Sequence, residues 1–351
     1  MKHLSVIVPI FNVEPYVEKC LRSLENQDIS HDEYEILCVN DGSPDNSREV
    51  VLALQKEFNN IVLIDQENQG VSIARNNGVE KARGKYLLFI DPDDFVQANS
   101  LGGILKDTIE NRAQIVVPGY NFVDLDGNLL KSTTYEQGNG NLLTGIEGYR
   151  ITHMKGQMGA DLAVGIIFDA DFMKGNNLYY MPDVPFLEDG ELLARAHCLA
   201  GRCLLLKQIL YSHVLVRQGS ATHSDLFISE RARKGFLIAA NNLKFFQRSQ
   251  ELELEQKIFL NGSIVQFVLL VLYSAVRARS LKVLVSGINS LKAAGLGKLR
   301  LEGCKGWYLI CGRPYNLSPY LGALALSLYL KMDNWYFELF NKKPGNKYIT
   351  S

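Results

Sequence analysis

Several kinds of chemistry are missing from this sequence. No strand-like run is followed by G-x-G-x-x-G, and G-x-x-x-x-G-K-[ST] occurs nowhere, which argues against a dinucleotide fingerprint and against a P-loop. The six cysteines (Cys20, Cys38, Cys198, Cys203, Cys304, Cys311) form no C-x-x-C pair and have no histidine at zinc spacing. Some sit in apolar runs, such as Cys38 in "EILCVND", so buried reduced thiols in a cytoplasmic protein are expected. No signal peptide is expected either, because the apolar run in "MKHLSVIVPIFN" is too short for one and stops at Pro9. Internal repeats and low-complexity segments are absent.

What is present is globular. At 351 residues, 47% apolar and 21% charged, the chain can form one large or two moderate domains with a sizeable core. The net charge of −1 conceals an asymmetry: Lys and Arg against Asp and Glu stand at 24 to 35 in residues 1–255 and 13 to 3 in residues 256–351. A basic, aromatic C-terminal region suits an anionic surface, nucleic acid or a phospholipid leaflet; it equally suits packing on the acidic first part. Residues 258–278 carry no charge before Arg277 and nearly reach spanning length, but Asn261, Ser263, Gln266 and Ser274 interrupt them. A buried or interfacial helix is expected there.

Strand and helix signals alternate through the first part. Short apolar runs at 4–9, 34–40, 61–65 and 86–90 read as strands, separated by helical periodicity over 14–26, about 46–58 and 71–82. This rhythm predicts βαβ units and an α/β fold with a mainly parallel sheet. A helix over 97–112 and a strand pair turning at Asp126-Gly127 are expected next, then a loop-like stretch over 136–185. From about 226 the pattern is helical. The expected division is a first domain over 1–225, in two parts (1–95 and 96–225), and a helical basic region over 226–351.

In open α/β sheets ligands bind beyond the C-terminal ends of the strands. That rule singles out "PIFNVE", "NDGSPDNS", "QENQGVSIARN" and "DPDD", each polar and each following a strand. Asp91, Asp93 and Asp94 suit a hard divalent cation, Mg²⁺ or Mn²⁺, shared with a diphosphate. The competing assignment makes Asp94 the N-cap of the next helix. Asp41 fits turn chemistry or a hydrogen bond to a base or ribose, and Arg75 a surface position or a phosphate contact. Glu188-Asp189 fits the acidic first turn of a helix. His213 and His223 fit metal or phosphate contacts or single structural hydrogen bonds.

The order of "SVIVPIFNVEPYVEKCLRSLENQ", "YEILCVNDGSPDNS", "ENQGVSIARNNGVEKARGKYLLFIDPDD" and "FLEDGEL" resembles the inverting family 2 glycosyltransferases of GT-A fold, densely over residues 3–95. The resemblance implies that Pro9, Phe11, Asn12 and Glu14 line a nucleoside pocket and that Asp41 binds the base, usually uracil. It places Arg75 near the nucleotide-sugar. Asp91 and Asp93 become the Asp-x-Asp metal pair, Asp94 their neighbour, and Asp189 beside Glu188 the general base. "LVRQGSAT" resembles a segment approaching the diphosphate, hence Arg217 and Ser220. Asn40 stands where many members carry Asp. The implied activity is metal-dependent transfer of a hexosyl or N-acetylhexosaminyl group from a UDP-sugar to a hydroxyl of a glycan or lipid-linked acceptor, in cell-surface polysaccharide synthesis. The expected place is the cytoplasm, with peripheral contact at the inner face of the membrane and no nucleic acid partner. Two rivals are a non-catalytic sugar-nucleotide-binding protein and a nucleotidyltransferase, which should carry a Gly-rich, Lys-containing loop where "PIFNVEP" has neither residue.

Overall fold

The structure is a computed structural model and describes residues 2–136, 138–153, 162–215 and 228–340, with the backbone alone over 331–340. The chain divides into two compact units, Met1–Pro182 with Arg195–Arg217 and Asp183–Ala194 with Gln218–Ser351. The division expected at 225/226 lies outside the described residues.

The first unit opens with β1 (Leu4–Ile10), α1 (Glu14–Glu25), β2 (Tyr34–Asp41), α2 (Ser47–Glu57), β3 (Ile61–Gln66), α3 (Val71–Lys81) and β4 (Tyr86–Phe89). These four strands pair in parallel in the order β3-β2-β1-β4. All seven residues of β1 and all eight of β2 are buried, as expected of parallel strands covered on both faces. Helix α1 buries Val17, Cys20, Leu21 and Leu24, one stripe at helical spacing. Helix α3 has no such stripe. It lies close to the sheet through small residues instead: a Cβ at Gly78 would stand 2.5 Å from Cγ2 of Ile7 on β1. That proximity fixes the helix that carries Arg75.

After β4 come β5 (Phe95–Val96), α4 (Leu101–Asn111), β6 (Ile115–Val123), β7 (Leu129–Thr133), β8 (Leu142–Leu143), α5 (Gly145–Thr152), β9 (Ile167–Asp169), α6 (Ala170–Gly175), α7 (Glu188–Leu199) and β10 (Cys203–Val214). The sheet continues as β4-β9-β6-β10-β5, with β9 antiparallel to both its neighbours and β10 parallel to β6. The mixed, mainly parallel sheet agrees with the sequence, and so does the β6–β7 pair, whose turn holds Gly127 at φ 85°. The stretch 136–185 is more structured than expected, since β8, α5, β9 and α6 fall within it. Three residues of β9 are too few for a periodic signal, yet they bridge the two halves of the sheet.

The second unit is helical: α8 (Glu230–Ser249), α9 (Leu254–Arg277), α10 (Leu281–Ala293), α11 (Trp307–Leu317) and α12 (Pro319–Phe340). Helix α9 is long and apolar enough to cross a membrane, yet 67% of its most apolar window is buried. It packs against α8, α10, α11 and α12, which accounts for its composition as that of a core helix.

Candidate active site

The turns following β1 and β2 interlock. Ser43 Oγ accepts from Asn12 N at 2.7 Å, Ser47 Oγ from Val13 N at 3.1 Å, and Asp45 Oδ2 from Glu14 N at 2.8 Å. In return Glu14 accepts from the backbone and side-chain nitrogens of Asn46. Asn12 sits at φ 53°, a region Asn tolerates better than most residues, and Phe11 beside it is 46% exposed. Pro9 is buried within β1. Asp45 ties the two turns together through Ser43, Ser47 and Glu14. Burial raises its pKa, but the hydrogen bonds from these three residues outweigh it and hold the carboxyl at about 2. The network accounts for "DGSPDNS" as architecture, with Asp45 serving the start of α2 although Asn46 is the capping position.

Asp41 turns to the third strand end. Its Oδ1 accepts from Gln66 Nε2 at 2.7 Å and Gln69 N at 2.8 Å, and its Oδ2 from Gly70 N at 2.8 Å. Each carboxylate oxygen takes about two donors, so Oδ2 retains capacity for one more. Gly42, at φ 65°, lets the chain leave β2 against Asn68. The residue before Asp41 also has a local explanation. Asn40 Nδ2 donates to Asp65 at 2.7 Å and Asn40 Oδ1 accepts from Ser43 N. A carboxylate at position 40 could not donate to Asp65 and would face it with like charge.

The turn after β4 gathers Asp91, Asp93 and Asp94, with one ligand atom from each lying within 4.8 Å of the others. Their charges are compensated from two directions. Arg75 Nη2 donates to Asp91 Oδ1 at 2.8 Å, and its guanidinium, buried, lies 4.9 Å from the centre of the Tyr180 ring. Tyr180 is fixed to α3 by two hydrogen bonds with Asn76, of 2.8 and 2.9 Å. Asp94 is buried and uses both oxygens on β10: Oδ1 accepts from Val214 N at 2.7 Å, and Oδ2 meets the Tyr211 hydroxyl and His213 Nδ1. Burial first, then the three carboxylates, pushes the Tyr211 phenol well above its ordinary value, so it remains a donor. For His213 burial acts downward, but its hydrogen bond to Asp94 and the three acidic charges prevail and raise its pKa. Asp94 does not cap the next helix, whose capping position is Ser100. His213 thus supports the acidic turn through Asp94.

The donor set fits a hard divalent cation. Carboxylate oxygens are the ligands Mg²⁺ and Mn²⁺ prefer. Asp91 and Asp93 are only partly buried, while Asp94 is held inward by β10. The remaining expected residues lie elsewhere. Glu188 and Asp189 open α7, in the segment Asp183–Ala194 that groups with the second unit. Arg217, Ser220 and His223 lie outside the described residues. Sequence alone did not point to Tyr180 or Tyr211, since aromatics in apolar surroundings carry no mark of a polar partner. For Ser43, Asp45 and Ser47 the signal was visible, as a turn cluster.

Comparison with known proteins agrees with this fold. Residues 5–162 match the family described as glycosyl transferase family 2. Glycosyltransferase GlyA of Streptococcus pneumoniae is 32% identical over 223 residues, 62% of this chain and 31% of that protein. A poly(ribitol-phosphate) beta-glucosyltransferase of Bacillus spizizenii is 24% identical over 221 residues, 62% of this chain and 33% of that protein. The chain thus spans about a third of the length of these curated relatives. Among solved structures, residues 1–349 of Staphylococcus aureus TarS in complex with UDP superpose with a TM-score of 0.66 at 18% identity, over 94% of this chain and 92% of that one. The fold is therefore the GT-A arrangement, followed by a helical C-terminal region.

Proposed function

The chain carries a family 2 glycosyltransferase domain over residues 5–162, and on that premise we propose that it moves a hexosyl or N-acetylhexosaminyl group from a UDP-sugar to a hydroxyl of a glycan or lipid-linked acceptor in cell-surface polysaccharide synthesis. The observation that carries this is the convergence of Asp91, Asp93 and Asp94 at the end of β4. Asp91 and Asp93 would hold a divalent cation, Mn²⁺ or Mg²⁺, with Asp94 beside them; such an ion offsets the charge that develops on a departing diphosphate. Phe11, exposed beside Pro9 and Asn12, offers a face for the nucleoside, and Asp41 Oδ2 retains room to accept from a base N–H. Arg75 holds Asp91 in place and keeps a buried cation near the donor. Arg217 and Ser220 are assigned to the diphosphate by their motif alone.

The chemical step is a single displacement. The acceptor oxygen forms a bond to the anomeric carbon, the bond from that carbon to the diphosphate breaks, and the acceptor proton passes to a carboxylate. We assign that base to Asp189, next to Glu188, on the strength of the motif. Attack opposite the leaving group inverts the anomeric centre and calls for no protein nucleophile. Purified protein with Mn²⁺, a panel of UDP-sugars and saccharide acceptors should release UDP. Turnover by Asp93→Ala equal to wild type, across donors and acceptors, would contradict the assignment; UDP binding without turnover under any donor would instead identify a sugar-nucleotide-binding protein.

We further place the chain at the cytoplasmic face of a membrane. Supporting this, all six cysteines are buried and outside any disulfide, and α12 exposes Tyr320, Leu321, Leu324 and Leu328 in a stretch (256–330) where nine Lys and Arg accompany one Glu. Co-sedimentation with phosphatidylglycerol vesicles, absent with phosphatidylcholine and lost in Leu324→Glu/Leu328→Glu, is the expected result.

A further inference from the structure

The second unit contains a cavity of about 380 Å³ that the glycosyl-transfer reading leaves unused. Its wall is built by the C-terminal half of α8, the first turns of α9 and the segment after α10. Five cationic side chains line it, Lys244, Arg248, Lys257, Lys298 and Arg300, and no carboxylate does. Among the described residues none of the five forms an ion pair. Like charges gathered around one concavity repel each other, and solvent screens them only beyond about 8 Å at physiological ionic strength. Such an arrangement creates a positive potential that an anion would offset.

The local structure shows how the charges are held together. Gly295, at φ 66°, ends α10, and Lys244 Nζ donates to the carbonyls of Ala294 at 3.2 Å and Gly295 at 2.7 Å. A Cβ at position 295 would stand 2.9 Å from that nitrogen. The lysine is thus drawn against a helix C-terminus, where a cation is favourable. Burial first, and then the charge of Arg248, lowers the Lys244 pKa, so the crowding of like charge registers on this group. At the floor, Gln247 Nε2 donates to Lys257 O at 2.7 Å and to Asn261 Oδ1 at 3.0 Å, with Asn261 buried. These bonds stitch α8 to α9 and fix the spacing of Arg248 and Lys257. The cations therefore sit on three rigid pieces of backbone.

We propose that this cavity binds a phosphate-bearing ligand presenting at least two closely spaced phosphate groups. One carboxylate would match one guanidinium, whereas four or five cations in a volume within the usual range of ligand sites match a multiply charged anion. Arg and Lys are both suited to phosphate oxygens, Arg through paired N–H groups and Lys as a point charge. The inference is independent of the donor site, since it uses only residues 244–300 of the second unit.

The probe is inorganic pyrophosphate, titrated calorimetrically into the full chain in EDTA, so that no divalent cation supports binding at the acidic turn. Wild type should bind with an affinity that weakens several-fold between 50 and 300 mM NaCl. Arg248→Ala/Lys298→Ala/Arg300→Ala, three exposed positions whose loss should leave the unfolding temperature within a few degrees, should bind at least tenfold more weakly. Asp93→Ala should bind as wild type does. Vesicles containing cardiolipin, whose headgroup carries two phosphates, separate two sources of the ligand: capture that pyrophosphate competes away indicates a lipid headgroup, and binding of pyrophosphate without capture indicates a soluble ligand. No binding by wild type, or equal binding by the triple variant, would overturn the proposal.

Discussion

The ends of β2 and β4 are both acidic turns on one parallel sheet, and they use their carboxylates in opposite ways. At the end of β2, Asp41 and Asp45 receive seven hydrogen bonds, three from within their own turn and four from the ends of the neighbouring strands, and these bonds build the loops. At the end of β4, the acids converge on one another, with Arg75 donating to Asp91 and β10 to Asp94. An aspartate after a strand is therefore not a ligand by position alone. What distinguishes the two turns is whether the carboxylates are spread over the loops or gathered on one another.

Substitutions should separate the turns by kind of effect. Asp93→Ala should slow transfer by about a thousandfold, about 4 kcal/mol of lost charge stabilisation, while leaving the unfolding temperature nearly unchanged. UDP-release rates at saturating donor check this. Asp94→Ala removes a buried charge from two hydrogen-bonded partners and a backbone amide, and should cost about 3 kcal/mol of stability along with activity. Urea unfolding measures the first part. Asp41→Ala strands the donors of Gln66, Gln69 and Gly70 around a partly buried turn, for about 2 kcal/mol. If it instead behaved like Asp93→Ala, stable but inactive, the contrast between the turns would fail.

The smallest effect concerns Asp45. Its replacement by Ala should cost about 1 kcal/mol near neutral pH, as for a lost helix-capping residue. Because its pKa is held at about 2 from an ordinary 3.8, the stabilisation is present above about pH 4 and vanishes as pH falls toward 2. Wild type and Asp45→Ala should thus differ in urea midpoint at pH 6 and converge near pH 2. A constant difference across that range would show that the carboxylate charge is not what ties the two turns together.

Much of this arrangement was legible in the residues. The four parallel strands follow from apolar runs alternating with helical periodicity, and the acidic turn follows from three carboxylates after the fourth run. The compensation of that turn was not legible, because Tyr211 and His213 lie 117 and 119 residues from Asp94. They reach it because β10 pairs antiparallel with β5, Tyr211 opposite Val96 and Ser212 opposite Phe95, just beyond the acidic turn. Such a register comes from tertiary pairing, which no local pattern announces. Arg75 illustrates the same limit. Its position on α3 could be read, but its burial under Tyr180 and its bond to Asp91 depend on how closely α3 approaches β1 at Gly78.

The most direct test is calorimetric titration of UDP into wild type and Asp93→Ala, each with and without Mn²⁺. If the β4 turn is the socket for a cation and a diphosphate, Mn²⁺ should tighten UDP binding at least tenfold in wild type and have no effect in the variant. Binding of UDP to wild type that ignores Mn²⁺, or a variant that responds to Mn²⁺ as wild type does, would contradict the account.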